Sequence, residues 1–211
     1  MKPRVLITRV LPEPALEVVR QACEVQLDPL DQQLTPAALR QAVVDKQGVL
    51  CLITDRIDAP VLDAATELKV VSNVAVGYDN IDVAAATQRG ILVTNTPGVV
   101  TESTADLTWS LLCSIVCRIA EGDHYIRAGK WREWTLLLMA GGDVHGTTLG
   151  ILGMGRIGQA VARRAKGFNM RVLYHSGVPQ RLPAGATVPC WPTASLGKDL
   201  QYSVCALVLR G

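Results

Sequence analysis

Six residues, Gly153-Met154-Gly155-Arg156-Ile157-Gly158, constrain the fold more than any other stretch of this chain. They follow an apolar run, Thr148-Leu149-Gly150-Ile151-Leu152, that reads as a strand. They lead into a segment, Gly158 to Lys166, that reads as a helix, and a further strand-like run, Arg171-Val172-Leu173-Tyr174, comes next. A G-x-G-x-x-G pattern alone is a weak signal, but between a strand and a helix it is the turn of a dinucleotide-binding β-α-β unit. Gly153 permits the tight turn, Gly155 lets the backbone approach a pyrophosphate, and Gly158 lets the helix pack on the strand. The helix N-terminus then offers unpaired N–H groups and a positive dipole end to phosphates. The alternative is a glycine-rich β-α turn that holds no ligand.

The first hundred residues alternate strand and helix signals in the same way. Val5-Leu6-Ile7 reads as a strand, and Pro14 sits in the first turn of a helix running to Cys23. Thr35-Pro36 is an N-cap followed by a first-turn proline, opening a helix to about Lys46. Gly48 to Ile53 reads as a buried strand, Pro60 to Leu68 as a helix and Lys69 to Ser72 as a strand. Asp82 caps a short helix that stops at Arg89-Gly90, and Ile91 to Thr94 is the next strand. This alternation predicts a parallel sheet with helices on both faces. After the turn Asn95-Thr96-Pro97-Gly98, a long apolar helix is expected from about Thr101 to Ala120 and is read as buried. Trp131 and Trp134 read as packing residues, Arg163 and Arg164 as a solvated helix face. Beyond Ser176, Gly177, Pro179, Pro183, Gly185, Pro189 and Pro192 break any periodicity, with Tyr202 to Leu209 as an edge-strand candidate.

Composition removes several function classes. Hydrophobic residues make up 49% and charged residues 19%, which is a globular balance. Lys plus Arg is 21 against 19 Asp plus Glu, a net charge of +2, so nothing argues for nucleic acid or a membrane surface. Aromatics are 4%, with Phe168 the only phenylalanine, which leaves few platforms for stacking bases. The longest apolar stretch, Leu107 to Ala120, is too short for a bilayer span and carries Arg118. Cys23, Cys51, Cys113, Cys117, Cys190 and Cys205 form no C-x-x-C pair and have no histidine at metal-ligand spacing. Six reduced thiols, and no leader in Met1-Lys2-Pro3-Arg4, lead to the expectation of a cytoplasmic protein without a metal.

The end of the second strand of the β-α-β unit selects between cofactors. An Asp or Glu there would bind the ribose 2′-hydroxyl of NAD. This chain has Tyr174-His175-Ser176 instead, so no carboxylate repels a 2′-phosphate, and NADP (NADPH) is favoured over NAD. The arginine that usually completes such a site is not beside Ser176, where Gly177 stands, although Arg181 is near in sequence.

Several separate stretches resemble the D-isomer-specific 2-hydroxyacid dehydrogenase family, in particular its glyoxylate/hydroxypyruvate reductase branch. They are Asn73-Val74-Ala75-Val76-Gly77-Tyr78-Asp79-Asn80-Ile81-Asp82, Gly90 to Gly98 with Thr104-Ala105-Asp106, Gly129-Lys130-Trp131, and Gly146 to Ser176. The likeness is read over residues 1–176. It implies an α/β fold with a flavodoxin-like substrate-binding domain over 1–99, and an interdomain helix and dimerisation arm over 100–145. It further implies the first β-α-β of a truncated Rossmann dinucleotide-binding domain over 146–176, followed by an atypical Pro/Gly-rich tail over 177–211. It implies that amides of the loop bearing Val76 and Gly77 hold a substrate carboxylate. Thr104 would touch the cofactor near its nicotinamide end, and Arg156 and Ile157 the pyrophosphate, while Ser176 is counted among the cofactor-binding residues from its place at the end of the second strand. Asp79, Asn80 and Asp82 read more simply as turn and cap residues.

Members of that family reduce a small 2-keto acid to a 2-hydroxy acid with an Arg, a Glu and a His that follow later in the chain. No match to them is read before Gly211, so no catalytic residue is assigned here, and His124, His145 and His175 are not taken as the base. The resemblance therefore implies an NAD(P)-dependent oxidoreductase, homodimeric through its arm, with this chain inactive alone. The alternative is a non-catalytic cofactor-binding or dimerising partner of a full-length subunit. An incomplete second sheet is also expected to leave an apolar patch on its strands and on the helix that follows the fingerprint.

Overall fold

The computed structural model describes residues 2–27, 31–176 and 202–205. The chain divides into two compact units, one running to Val99 and the other beginning at Val100. The 177–201 and 206–211 parts of the expected Pro/Gly-rich tail lie outside the described residues.

The first unit alternates strand and helix. Its elements are β1 (Arg4–Ile7), α1 (Glu13–Ala22), β2 (Glu24–Leu27), α2 (Pro36–Ala42), β3 (Gly48–Cys51), α3 (Ala59–Ala64), β4 (Val70–Asn73), α4 (Val83–Gln88) and β5 (Leu92–Thr94). The five strands form one sheet in the order β2-β1-β3-β4-β5, and every pairing is parallel. This is the flavodoxin-like order, whose strand sequence reverses between β1 and β3. Short polar side chains set the helix starts. Thr35 accepts from the Ala38 amide, Asp58 from Val61 and Asp82 from Ala85, each relieving an N–H that the first turn leaves unpaired. Leu6, Val43, Val49, Val71 and Ala86 form part of the core between sheet and helices.

The second unit begins with α5 (Thr101–Val116) and α6 (Ile119–Arg127). It continues through β6 (Thr148–Leu152), α7 (Arg156–Ala165) with one 3-10 turn at Lys166–Phe168, β7 (Arg171–His175) and β8 (Tyr202–Cys205). Its sheet has the order β7-β6-β8, parallel throughout. The fold is thus α/β, with a flavodoxin-like unit and a Rossmann-like β-α-β whose central strand is β6.

Three differences from the sequence reading have physical causes. The apolar helix is not continuous to Ala120, because Arg118 takes a left-handed conformation at φ 55° between α5 and α6. Its guanidinium then pairs with Glu121 at 2.6 Å and donates to the Ala140 carbonyl at 3.2 Å. That pairing holds the Glu121 carboxyl below its ordinary range. Second, α5 is buried on one side only. Ala105, Trp109, Leu112 and Val116 face the core, whereas Leu107, Leu111 and Ile115 are exposed, the last at 76%. Trp131 and Trp134 are exposed as well, at 49% and 73%, and neither is part of a described core. Third, among the described residues Leu149, Ile151 and Leu173 of the second sheet are fully buried rather than part of an apolar patch. Helix α5 covers α7 instead.

Trp109 is the anchor of that cover. Its indole N–H donates to the Val161 carbonyl of α7 at 3.1 Å, and its ring stacks on Phe168 with centroids 4.6 Å apart. Trp109→Phe is expected to destabilise the protein by about 1–2 kcal/mol, because the Val161 carbonyl loses a partner. Trp109→Ala is expected to cost about 3–5 kcal/mol through the cavity it leaves. Urea titration followed by circular dichroism reads both, and wild-type stability of Trp109→Phe would argue against the hydrogen bond.

Candidate functional site

In a parallel sheet the strands' carboxyl ends collect the loops that bind ligands, and in the first unit those ends are joined by one polar network. The buried carboxylate of Asp55 accepts from the Thr8 hydroxyl at 2.5 Å and from the Leu52 amide at 2.8 Å, tying β1 to the turn after β3. The Asn80 side-chain amide donates to the carbonyls of Leu52 and Asp55 at 3.1 and 2.9 Å. Asn73, buried at the end of β4, donates to the Asn80 side-chain oxygen at 3.0 Å and to the Gly77 carbonyl at 2.7 Å. The next two pins come from just beyond β5. The Asn95 side chain donates to the Val76 carbonyl at 2.8 Å, and the Thr96 amide donates to the Ala75 carbonyl at 2.9 Å.

The consequence for the loop is geometric. Three consecutive carbonyls, of Ala75, Val76 and Gly77, are each fixed by a donor. In a trans peptide the N–H points opposite to the C=O, so the amides of Val76, Gly77 and Tyr78 acquire fixed directions. Among the described residues none of these three amides has a protein acceptor. Val76 and Gly77 are half-buried, so their N–H groups are available to an anion without a charged side chain beside them.

Neighbouring polar groups have other tasks. Asp82 and Asp58 cap α4 and α3, Arg56 lies 3.4 Å from Asp58, and Asp79 is exposed. Asn80 does more than form a turn, since it bridges two loops. The Cys51 thiol donates to Asn73 at 3.5 Å. Burial, with the Asp55 charge second, pushes that thiol up to about 12, which removes it as a nucleophile at neutral pH.

In the second unit the fingerprint forms a strand-to-helix turn. Gly153 has φ +91°, a left-handed backbone that favours glycine, and its amide donates to the His175 carbonyl at 2.8 Å. Gly155 is the N-cap of α7 with no side-chain cap, so the first-turn amides, from Arg156 onward, keep no intrahelical acceptor. A Cβ at Gly158 would overlap the Gly153 carbonyl oxygen. The residues present therefore fit a pyrophosphate, with a backbone cradle closed by glycine and a dipole end facing it.

Thr104 lies half-buried on α5, its carbonyl accepting from the Thr108 hydroxyl at 2.8 Å. Ser176 follows β7 and is also half-buried. Arg163 is exposed and Arg164 half-buried, and neither simply faces water. They reach α5, Arg163 to Glu102 at 2.7 Å and Arg164 to Asp106 at 2.6 Å. The second unit thus brings Thr104, the fingerprint and Ser176 into one body, while Val76 and Gly77 belong to the other. The Asn169 side chain lies 2.9 Å from the His145 imidazole, and Arg181 is outside the described residues. Among the described residues no group of three His, Cys, Asp or Glu could hold a metal ion, and no helix is long and apolar enough to cross a membrane. Sequence reasoning passed over Asn73 and Asn95. The signal available was an asparagine closing a β-branched strand at its carboxyl end.

Taken together, the two units define a nucleotide-type β-α-β joined to a flavodoxin-like α/β unit, an arrangement found in dehydrogenases. The model of the D-isomer specific 2-hydroxyacid dehydrogenase catalytic domain matches residues 5–208, and the chain belongs to that family, whose members use NAD or NADP. The matched span runs past Ser176, where the resemblance read from the sequence ends. A glyoxylate reductase of Thermococcus kodakarensis is 48% identical over 180 residues, 83% of this chain and 54% of its own length. The TT0316 protein of Thermus thermophilus superposes with a TM-score of 0.89 at 44% identity, over 98% of this chain and 65% of that one. An NADPH-dependent glyoxylate/hydroxypyruvate reductase of Sinorhizobium meliloti, solved with NADP and malonate, gives 0.78 at 28% identity, over 98% and 63%. The chain spans about half the length of the curated relatives it matches.

Two measurements check this geometry. Alanine ordinarily favours a helix over glycine by about 1 kcal/mol, yet Gly158→Ala is expected to lower the melting temperature because the methyl meets the Gly153 carbonyl. An unchanged or higher value would show that the helix can move off the strand. With iodoacetamide at pH 8, mass mapping is expected to find exposed Cys117 alkylated and Cys51 protected in the native protein. Labelling of both at one rate would contradict the burial of Cys51.

Proposed function

We propose that the chain carries the substrate-carboxylate loop and the pyrophosphate half of an NAD(P)-dependent oxidoreductase acting on a small 2-keto or 2-hydroxy acid of the glyoxylate or hydroxypyruvate kind. The observation that carries this reading is the loop Ala75–Tyr78, whose carbonyls are pinned and whose amides lack protein acceptors. Val76 and Gly77 hold the carboxylate through their backbone N–H groups. Gly153, Gly155, Arg156, Ile157 and Gly158 hold the pyrophosphate, and Thr104 the nicotinamide side. When bound, the cofactor supplies or accepts a hydride.

NADPH is the preferred form. The end of β7 carries Tyr174-His175-Ser176 without a carboxylate, so a 2′-phosphate meets no like charge there, and Ser176 can donate to it. Proton transfer to the developing alkoxide is not assigned to a residue among these 211, and in this reading the chain binds without turning over by itself.

A second reading, association, rests on the exposed apolar side of α5 and α6 and the segment after them. Leu111, Ile115, Ile126, Trp134 and Leu137 are all exposed, and large apolar side chains grouped on consecutive elements suit an interface. In this reading the partner is a second copy, giving a homodimer, or a full-length subunit, giving a mixed dimer.

Calorimetric titration with NADPH and NADH, each with and without glyoxylate, tests the proposal. Tighter binding of NADPH is expected. Equal affinities would remove the preference, and no heat from folded protein would remove the cofactor assignment. Sedimentation velocity is expected to show a dimer that Ile115→Glu dissociates. A monomer at all concentrations would rule out the second copy.

A further inference from the structure

The anion loop of the first unit is shaped by two side chains that would not themselves touch the ligand. Asn73 is buried, with 2% exposure, and its side-chain amide is divided between the Gly77 carbonyl at 2.7 Å and the Asn80 oxygen at 3.0 Å. Asn95, half-buried just beyond β5, holds the Val76 carbonyl at 2.8 Å. The two asparagines therefore fix neighbouring peptide planes from two different strand ends. Fixing the Val76 carbonyl sets the Gly77 amide, and fixing the Gly77 carbonyl sets the Tyr78 amide, because each pair shares one planar trans unit.

From this geometry we infer that Asn73 and Asn95 are positioning residues that aim the loop amides at a small carboxylate, a role resting on the carboxylate-binding reading given above. Asparagine suits the task for a chemical reason. Its amide group donates to a carbonyl yet adds no charge. A lysine or arginine in the same place would draw the anion to itself, and an aspartate would offer no hydrogen to the carbonyl and would repel the ligand. Asn73 has a further link, since its partner Asn80 is held by the Leu52 and Asp55 carbonyls. The direction of the Gly77 carbonyl is thereby tied to the turn after β3 and, through Asp55, to Thr8. An unpinned loop would retain the same amides but lose their direction, so the ligand would have to order them on binding.

The test is 15N–1H spectroscopy of the full chain titrated with sodium oxalate and, separately, sodium glyoxylate. In the wild type the amides of Val76, Gly77 and Tyr78 are expected to shift with the anion. Asn95→Ala and Asn95→Asp are expected to weaken the dissociation constant about fivefold or more, the loss of one ordering hydrogen bond, with the aspartate variant the weaker. Asn73→Ser, which retains a shorter donor, is expected to fall in the same direction if it folds; the half-buried Asn95 carries the test if it does not. Asp82→Ala is the structural control. It loses the cap of α4 and should lower the melting temperature while leaving oxalate affinity unchanged. Wild-type affinity in both Asn95 variants would overturn the positioning role. Affinity that follows melting temperature across all variants, the Asp82 control included, would overturn it too. Absence of any shift at Val76 and Gly77 in the wild type would instead overturn the carboxylate-binding reading, and the inference with it.

Discussion

The carboxyl end of the first sheet depends on the buried carboxylate of Asp55. Moving such a group out of water is costly unless its oxygens are hydrogen-bonded. Here the Thr8 hydroxyl and the Leu52 amide meet it. Because Thr8 follows β1 and Leu52 follows β3, this interaction closes the point where the strand order reverses. Asn80 then attaches the loop after β4 to the same turn through two backbone carbonyls, and Asn73 transmits that attachment to Gly77. A loop with no regular secondary structure is thus held at four strand ends. Its direction follows from the core beneath it rather than from its own sequence.

The second unit solves a related problem with shape. Its turn has no capping side chain, so the N-terminal amides of α7 stay unpaired, and α7 must still sit tightly on β6. Glycine at 153 allows the turn and glycine at 158 the approach. The other face of α7 is held by α5, through the Trp109 indole and the arginine pairs to Glu102 and Asp106. These ion pairs are solvent-exposed and contribute little each. Their effect is to orient, while Trp109, Leu112 and Val161 provide the apolar area. A reading in which Arg163 and Arg164 simply face water overlooked that i and i+1 positions on α7 can both reach a neighbouring helix by long side chains.

How far the sequence could be read depended on whether a local signal matched the final packing. Strand β6 agrees at both ends because the mostly apolar run from Thr148 to Leu152 lies between Gly146-Thr147 and Gly153. The caps at Thr35 and Asp82 also fall where the residue types put them, because capping is decided within four residues. Strand β2 was not foreseen. Glu24-Val25-Gln26-Leu27 alternates like a strand, but it directly follows a helix and is charged at its first position, as befits the sheet edge it occupies. Nothing in Arg118 forecasts a positive φ, since the apolar spacing continues past it. The positioning roles of Asn73 and Asn95 were invisible for another reason. Asparagine at a strand end is an ordinary turn residue, and only the pairing in the fold, 4 and 19 residues distant in sequence, shows what each one holds.

Helix α5 shows where a composition argument reaches its limit. An apolar segment without a polar stripe is normally read as buried on all sides, and that inference presumes that the cover belongs to the same chain. In α5 the two faces are answered differently. Ala105, Trp109, Leu112 and Val116 are packed against the second unit's core, while Leu107, Leu111 and Ile115 recur at four-residue spacing on the open side. Spacing of that kind places three large side chains in one row along the helix. The row is continued in kind by Ile119 and Ile126 on α6 and by Trp134, Leu136 and Leu137 beyond it. Scattered apolar residues on a surface need no explanation, but a row shared by consecutive elements does. The hydrophobicity of α5 therefore records two separate packing demands, of which the core of its own unit satisfies one.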